Sequence, residues 1–349
     1  MPAMDGHADG DCHSRSGPGF ASFNFAIAAS VNQPAVLPQN LVPLKFLLCR
    51  SPKLYPRRRS RNSQSPQLED KGSMDSARRN CLSQETVAMV VKLLIEGNSI
   101  RSTQRITGID QNTIMKILVL AGEKAERVMG RYIRNVPVND VEVDEVWAFI
   151  GKKEKRVRPE DDQNLGDCYS FVAIERHSKL VLNVAMGKRD KVTTDIFIEG
   201  LRDAIRPGCR FQITSDGFAP YKNSIPDTFG DRVDFAMLIK VYRAAPEGER
   251  RYSPAEVQSV EVVPICGNPD PTRICTSIIE RSNLSLRMGQ RRWTRLTNAF
   301  SRKWEHHAAA MMLWYAYYNF CRVHKSLRVT PAMESKITDH IWELSELLA

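Results

Sequence analysis

The feature that most constrains the fold is a change of hydrophobic period near residue 140. Upstream, apolar residues recur three and four apart; downstream they alternate or run in short blocks. In the upstream part Ser83 and Thr86 open a run in which Val87, Val90, Val91, Leu94 and Ile95 share one face, and Gly97-Asn98 stops it. A second short helix is expected over 100–106, then a tight turn at Thr107-Gly108-Ile109. Asp110 is placed to N-cap a third helix over 111–120, with Ile114, Ile117 and Leu118 inward. Downstream, strands are expected over 141–150, 168–175 and 179–186, a helix over 193–205, a strand over 210–214, a short helical stretch over 219–224 and a strand over 233–241. The pattern predicts an α/β domain, a mixed sheet flanked by helices, preceded by a small all-α unit.

This element order is that of a ribonuclease H-like fold. Residues 243–276, rich in Pro and Arg, are expected to be an insertion, and two long helices over 277–288 and 297–321 close the domain. Four regions follow: 1–73, 74–134 as a helix-turn-helix domain, 141–325 as the catalytic domain, and 326–349 as a helical tail. Residues 1–73 are rich in Pro, Ser, Gly, Asn and Gln and end in Arg57-Arg58-Arg59-Ser60-Arg61. They are expected to be a disordered leader or a misassigned start upstream of Met74, with a phosphate-contacting tail as the weaker option.

Helix, Gly-containing turn and capped helix form a helix-turn-helix signature, although three short helices also make an ordinary bundle. In the DNA-binding reading Gln111, Asn112, Thr113 and Lys116 meet base edges. The formal charge of +10 and pI near 9.2 favour a polyanionic partner, nucleic acid first. Eight scattered cysteines without a CxxC pair give neither a zinc ribbon nor a disulfide framework, and reduced thiols suit a cytoplasmic, nucleoid-associated protein. The most apolar early stretch, 23–48, is broken by Asn32, Pro34, Pro38, Pro43 and Lys45, so no membrane span is expected.

Three acidic residues fall where chemistry could sit. Asp144 lies mid-strand in Val141-Glu142-Val143-Asp144-Glu145-Val146-Trp147, against the strand propensity of Asp. It reads equally as a solvent-facing residue of an edge strand, a place Glu142 and Glu145 would also fill. Asp216 ends a strand in Ile213-Thr214-Ser215-Asp216-Gly217, where sites of open sheets gather, yet Asp-Gly is also a common turn. Glu280 follows Ser277 by three residues, the spacing of a capping box; alternatively it shares a helical face with Asn283, Leu284, Arg287 and Arg291, a carboxylate followed by guanidinium groups. Three convergent carboxylates would suit Mg²⁺ or Mn²⁺, because phosphodiester transfer is served by two divalent ions roughly 3.5–4 Å apart.

The strings 143–152, 214–221 and 279–287, with the ending Tyr318-Asn319-Phe320-Cys321-Arg322-Val323-His324-Lys325-Ser326-Leu327-Arg328-Val329-Thr330-Pro331-Ala332, resemble insertion-sequence transposases, most closely the insertion-sequence-1 type. The resemblance runs from about residue 82 to 348. It implies that Asp144, Asp216 and Glu280 form a DDE triad holding two divalent ions, that Arg287 is the basic residue two turns past the Glu, and that the partner is DNA, both element ends and target. A homo-oligomer paired on DNA is expected with it. The Cys-rich zinc segment such transposases carry before the helix-turn-helix is not visible here. Arg291 and Arg292, near Trp293, are expected to touch phosphates as well. Trp304, Met311, Met312, Trp314, Tyr315, Tyr318 and Phe320 are expected to be core, and His306-His307 a helix-face pair. Rival functions are a ribonuclease H-like nuclease that does not rejoin strands, and a helix-turn-helix regulator with a dead catalytic fold.

Overall fold

The computed structural model describes residues 82–162, 164–242, 257–295 and 297–349. The readings made above for 1–73 and Met74 lie outside them. Three helices come first: α1 (Gln84–Ile95), α2 (Ile100–Thr107) and α3 (Gln111–Tyr132). Ser83 caps α1 through the Thr86 N–H, Gly108 closes α2 in the left-handed region at φ 72°, and Asp110 caps α3 through the Asn112 N–H. α3 runs twelve residues past its expected end. No stop signal follows Leu120, and Ala121, Ala125 and Met129 continue the buried stripe.

The sheet consists of β1 (Asp140–Ile150), β2 (Gly166–Glu175), β3 (Val181–Gly187), β4 (Phe211–Ser215), β5 (Val233–Tyr242) and β6 (Val257–Cys266), in the order β3-β2-β1-β4-β5-β6. β1, β2 and β3 are antiparallel neighbours; β4 joins β1 in parallel, β5 joins β4 in parallel, and β6 is antiparallel to β5. α4 (Lys191–Ala204) and α5 (Tyr221–Phe229) are the crossovers that parallel pairing requires. The sheet is mixed and flanked by helices, as expected for a ribonuclease H-like α/β fold. β6 is the strand that sequence reasoning missed. It forms the outer edge, with Val257, Val260 and Val262 exposed among Gln258, Ser259 and Glu261, so its residues carry no one-sided pattern. Pro264 sits beside a register shift, where an edge strand tolerates it.

α6 (Ser277–Gly289) and α7 (Trp304–Phe320) complete the body, followed by the single turns α8 (Pro331–Glu334) and α9 (Leu344–Leu347). α7 starts seven residues later than expected, because Ser301 is used as backbone, bridging Ile150 and accepting the Gly151 N–H at 2.8 Å. The helix is buried all round, and its expected core residues Met311, Met312, Trp314, Tyr315, Tyr318 and Phe320 are core; Trp304 is partly buried. One flank of α7 takes α3, where Gly122 permits contact: a Cβ there would lie 2.5 Å from the Ala309 Cα. Another side meets β3, where the Asn319 side chain accepts the Val181 N–H at 3.0 Å and donates to the Val181 carbonyl at 2.8 Å. That pair satisfies an edge of β3 as a neighbouring strand would. The helices of residues 84–132 therefore share one continuous core with the sheet. Among the described residues no helix is long and apolar enough to cross a membrane.

Candidate active site

β1 lies at the centre of the sheet, between β2 and β4. That overturns the edge-strand alternative for its acids: Glu142 is 1% exposed and the Glu145 side chain equally so. β4 pairs with β1 as far as Ser215 opposite Val143, and then ends. Asp216 therefore follows the last paired residue, beside Asp144 and Glu145 on the next stretch of β1. Carboxylate oxygens of Asp144, Glu145 and Asp216 lie within 4.8 Å of one another. The Asp-Gly turn is real as well: one Asp216 oxygen accepts the Phe218 N–H at 3.0 Å. Turn and cluster are two uses of the same side chain.

Removing Asp144 and Glu145 from water and placing them beside the Asp216 charge makes their charged forms costly. Burial first, and then the Asp216 charge, push Asp144 up to about 6; the Glu145 N–H and Asn283 pull the other way. Burial and Asp216 push Glu145 up to about 8. The cation paired with the group is Arg189, its Nε 3.1 Å from Glu145 and Nη2 3.6 Å from Asp216, its guanidinium 4.3 Å over the Phe218 ring. Tyr221, fully buried on α5, stands beside Glu145, and its hydroxyl is pushed well above the usual range by that burial first. Sequence reasoning named none of Glu145, Arg189 and Tyr221 as site residues. For Glu145 a signal was present, a second acid beside Asp144 in an otherwise apolar strand.

α6 brings the third expected acid. The Ser277–Glu280 capping box does not form. Instead Glu142 reaches from β1 to the start of α6, one carboxylate oxygen accepting the N–H groups of Ile278 at 2.9 Å and Ile279 at 2.8 Å. This is the orphan-donor end of a helix, where a negative charge is favoured. Burial nevertheless raises Glu142 to about 7. Anchored in this way, α6 places Asn283 over β1, where its Nδ2 donates to Asp144 at 2.8 Å. Glu280 stands one turn earlier, paired with Lys240 of β5 and accepting the Thr276 hydroxyl at 2.8 Å, outside the 4.8 Å cluster but near enough to add to the rise of Asp144.

The basic residues divide. Arg287 is half-buried near Asp144 and Tyr315, its Nε has no partner, and burial lowers its pKa. Arg291 is exposed, in a turn past the end of α6 and so off the helical face expected for it. Arg292 turns inward, donating to Ser301 at 2.8 Å, and burial brings it down to about 10. Trp293, 1% exposed, donates to Ser170 at 3.1 Å and stacks on His307 at 4.2 Å. His307 is fully buried and held neutral, pushed down to about 3. In the helix-turn-helix, Asn112 and Lys116 are exposed, Thr113 is half-buried, and Gln111 donates to Gln104 at 2.7 Å.

Three hard carboxylate ligands, mutually repelling and opposed by one guanidinium, fit a divalent cation. No protein-family model and no curated protein matches the chain. Solved structures similar to it include the synaptic complex of piggyBac transposase with hairpin DNA, 9% identical over 78% of this chain and 72% of that one, TM-score 0.37. Others are the Mos1 transposase paired-end complex with the left transposon end, 15% identical over 46% of this chain and 59% of that one, TM-score 0.19, and the Mos1 strand transfer complex, 11% identical over 72% of this chain and 80% of that one, TM-score 0.23.

Proposed function

We propose that this chain is a DNA transposase of the DDE type, resembling that of insertion sequence 1, which cleaves the ends of a mobile element and joins them to target DNA. The observation that carries the reading is the convergence of Asp144 and Asp216 at the end of the β1–β4 pair, with α6 laid over it to bring Glu280 and Asn283. Asp144 and Asp216 would hold two Mg²⁺ or Mn²⁺ ions with Glu280. Bound there, the ions would supply Lewis-acid activation of the attacking oxygen and stabilisation of the leaving one.

The chain's own groups set the geometry. Glu142 fixes the start of α6, Asn283 orients Asp144, and Arg287 offers an unpartnered guanidinium N–H to a phosphate beside Asp144. Asn112 and Lys116, exposed at the start of α3, would contact DNA, with Gln111 and Thr113 behind them and Arg291 and Arg292 flanking the site. Pairing two element ends calls for a homo-oligomer on DNA. Residues 74–134 act in this reading as the DNA-binding region, 141–325 as the catalytic one and 326–349 as the tail.

The test is cleavage and strand transfer on duplexes carrying the repeats that flank the gene, with Mg²⁺ or EDTA, for the wild type and Asp144→Ala, Asp216→Ala and Glu280→Ala. Metal-dependent joining lost in all three variants, with DNA binding kept, is the expected result. Cleavage without joining would favour a nuclease, and binding without chemistry in the wild type would favour a regulator.

A further inference from the structure

We infer that Glu145 is a metal ligand of this site beside Asp144 and Asp216, and that Arg189 competes with the metal for the same carboxylates. The inference rests on the metal-dependent reading above and adds to it a ligand and a counterion.

The distances select Glu145. Its carboxylate, not that of Glu280, completes the three-oxygen group within 4.8 Å. Glu280 is already supplied with Lys240 and the Thr276 hydroxyl on its own side of the sheet. Glu145 is poorly supplied. Its side chain is 1% exposed, one oxygen meets Arg189, and the other, buried, has the Tyr221 hydroxyl beside it. The Tyr221 hydroxyl, fully buried, turns to the same carboxylate. A buried carboxylate held by one partly exposed guanidinium and one phenol hydroxyl, with two further acids within 4.8 Å, keeps acceptor capacity for a cation.

The position of Glu145 explains how a strand can offer two adjacent ligands. Consecutive residues of β1 point to opposite faces of the sheet, so Asp144 lies on the side of α6 and Glu145 on the side of α5. They can address one cation because β4 stops at Ser215 and Asp216 sits at the open end between the two faces. Arg189 arrives from the turn before α4 and touches both Glu145 and Asp216. Arg189 fills the space beside Glu145 and Asp216 that a cation held by the three carboxylates would take, so guanidinium and metal exclude each other there.

The experiment is Mn²⁺ binding to the full chain without DNA, followed by calorimetry and by electron paramagnetic resonance of free Mn²⁺. Circular dichroism verifies that each variant is folded. Glu145→Gln, nearly isosteric, is expected to weaken Mn²⁺ binding about tenfold or more, and Arg189→Gln to tighten it several-fold. Glu280→Gln is expected to weaken it less than Glu145→Gln does, and Asp144→Asn to bind very weakly. Should Glu145→Gln not fold, Glu145→Asp keeps the charge but shortens the reach, and is expected to weaken binding several-fold. If Asp144→Asn loses Mn²⁺ while Glu145→Gln and Glu145→Asp bind as the wild type does, Glu145 is not a ligand and the metal reading stands without it. If Arg189→Gln weakens binding, the competition is wrong. If the wild type binds no Mn²⁺, both the inference and the metal-dependent reading fall.

Discussion

β1 carries buried acids in two settings, and the contrast separates an ion pair that holds the fold from a group arranged for chemistry. At its start Asp140, 5% exposed, is satisfied on both oxygens: Arg273 donates to one from Nε at 2.9 Å, with its Nη2 2.7 Å away donating to the Asn139 carbonyl, and His177 Nε2 lies 2.9 Å from the other. Four residues on, Asp144 and Glu145 face Asp216 with one partly exposed guanidinium between them and raised pKa values. Same strand, similar burial, opposite charge balance. Where a protein gains nothing from buried charge it pairs it; here it withholds the partners, the mark of a site tuned for a ligand.

The contrast breaks most readily by mutation. Asp144→Ala and Asp216→Ala are expected to lower metal-dependent DNA cleavage on the order of 10³-fold or more, about 4 kcal/mol of transition-state stabilisation, with little loss of fold. Asp140→Asn should do the reverse, leaving cleavage within a few-fold while lowering unfolding free energy by roughly 1–2 kcal/mol, because Arg273 is partly exposed and water screens it. Equal loss of activity at Asp140 would erase the distinction.

Next in size is Glu142, which belongs to neither setting but joins them. Glu142→Ala orphans the Ile278 and Ile279 N–H groups and should cost roughly 2 kcal/mol by denaturant unfolding, with cleavage reduced and Mn²⁺ affinity retained. Glu142→Gln keeps an acceptor and removes a buried charge, so it should be close to neutral or stabilising above pH 7.

A smaller effect is the pH dependence of stability in EDTA. Glu142 at about 7 and Glu145 at about 8 lie above their unfolded values, so the folded state binds protons more tightly than the unfolded chain. Their stabilisation is full below pH 4.5 and is lost as pH rises through the folded values. His307 has the opposite sign: lowered by burial, it costs stability only as pH falls below 6.5. Between pH 6.5 and 8.5 these two carboxylates, Glu126, which burial also raises to about 7, and His340, raised by its Asp339 and Glu346 partners, act in one direction; the melting temperature should fall by roughly 5 °C, a fall that Mn²⁺ reduces by the Glu145 share. A flat profile in EDTA would remove the electrostatic contrast. Smallest is Lys116→Ala, expected to weaken DNA binding uniformly across sequences and to reduce the salt slope by about one.

Much of this was legible because period and burial agree. The three helices, five of six strands and the positions of Asp144, Asp216 and Glu280 follow from hydrophobic spacing and from a resemblance in four short strings. β6 was not legible, since an edge strand exposed on both faces has no pattern to read. The continuation of α3 onto α7 was lost because a stripe of Ala and Gly carries little hydrophobic signal although it allows close packing. The capping of α6 by Glu142 is a contact across 136 residues, and local grammar offered Ser277 in its place. Glu145 enters the sequence reading only in the alternative of a solvent-facing edge strand, because which strand is central is decided by topology and not by the strand itself.

The most direct test of the central claim is anomalous scattering from crystals grown with Mn²⁺. The account predicts an anomalous peak at coordinating distance from both Asp144 and Asp216, with Arg189 withdrawn from Glu145. Crystals in which Mn²⁺ is present but no peak appears there, with Arg189 still bridging Glu145 and Asp216, would contradict it.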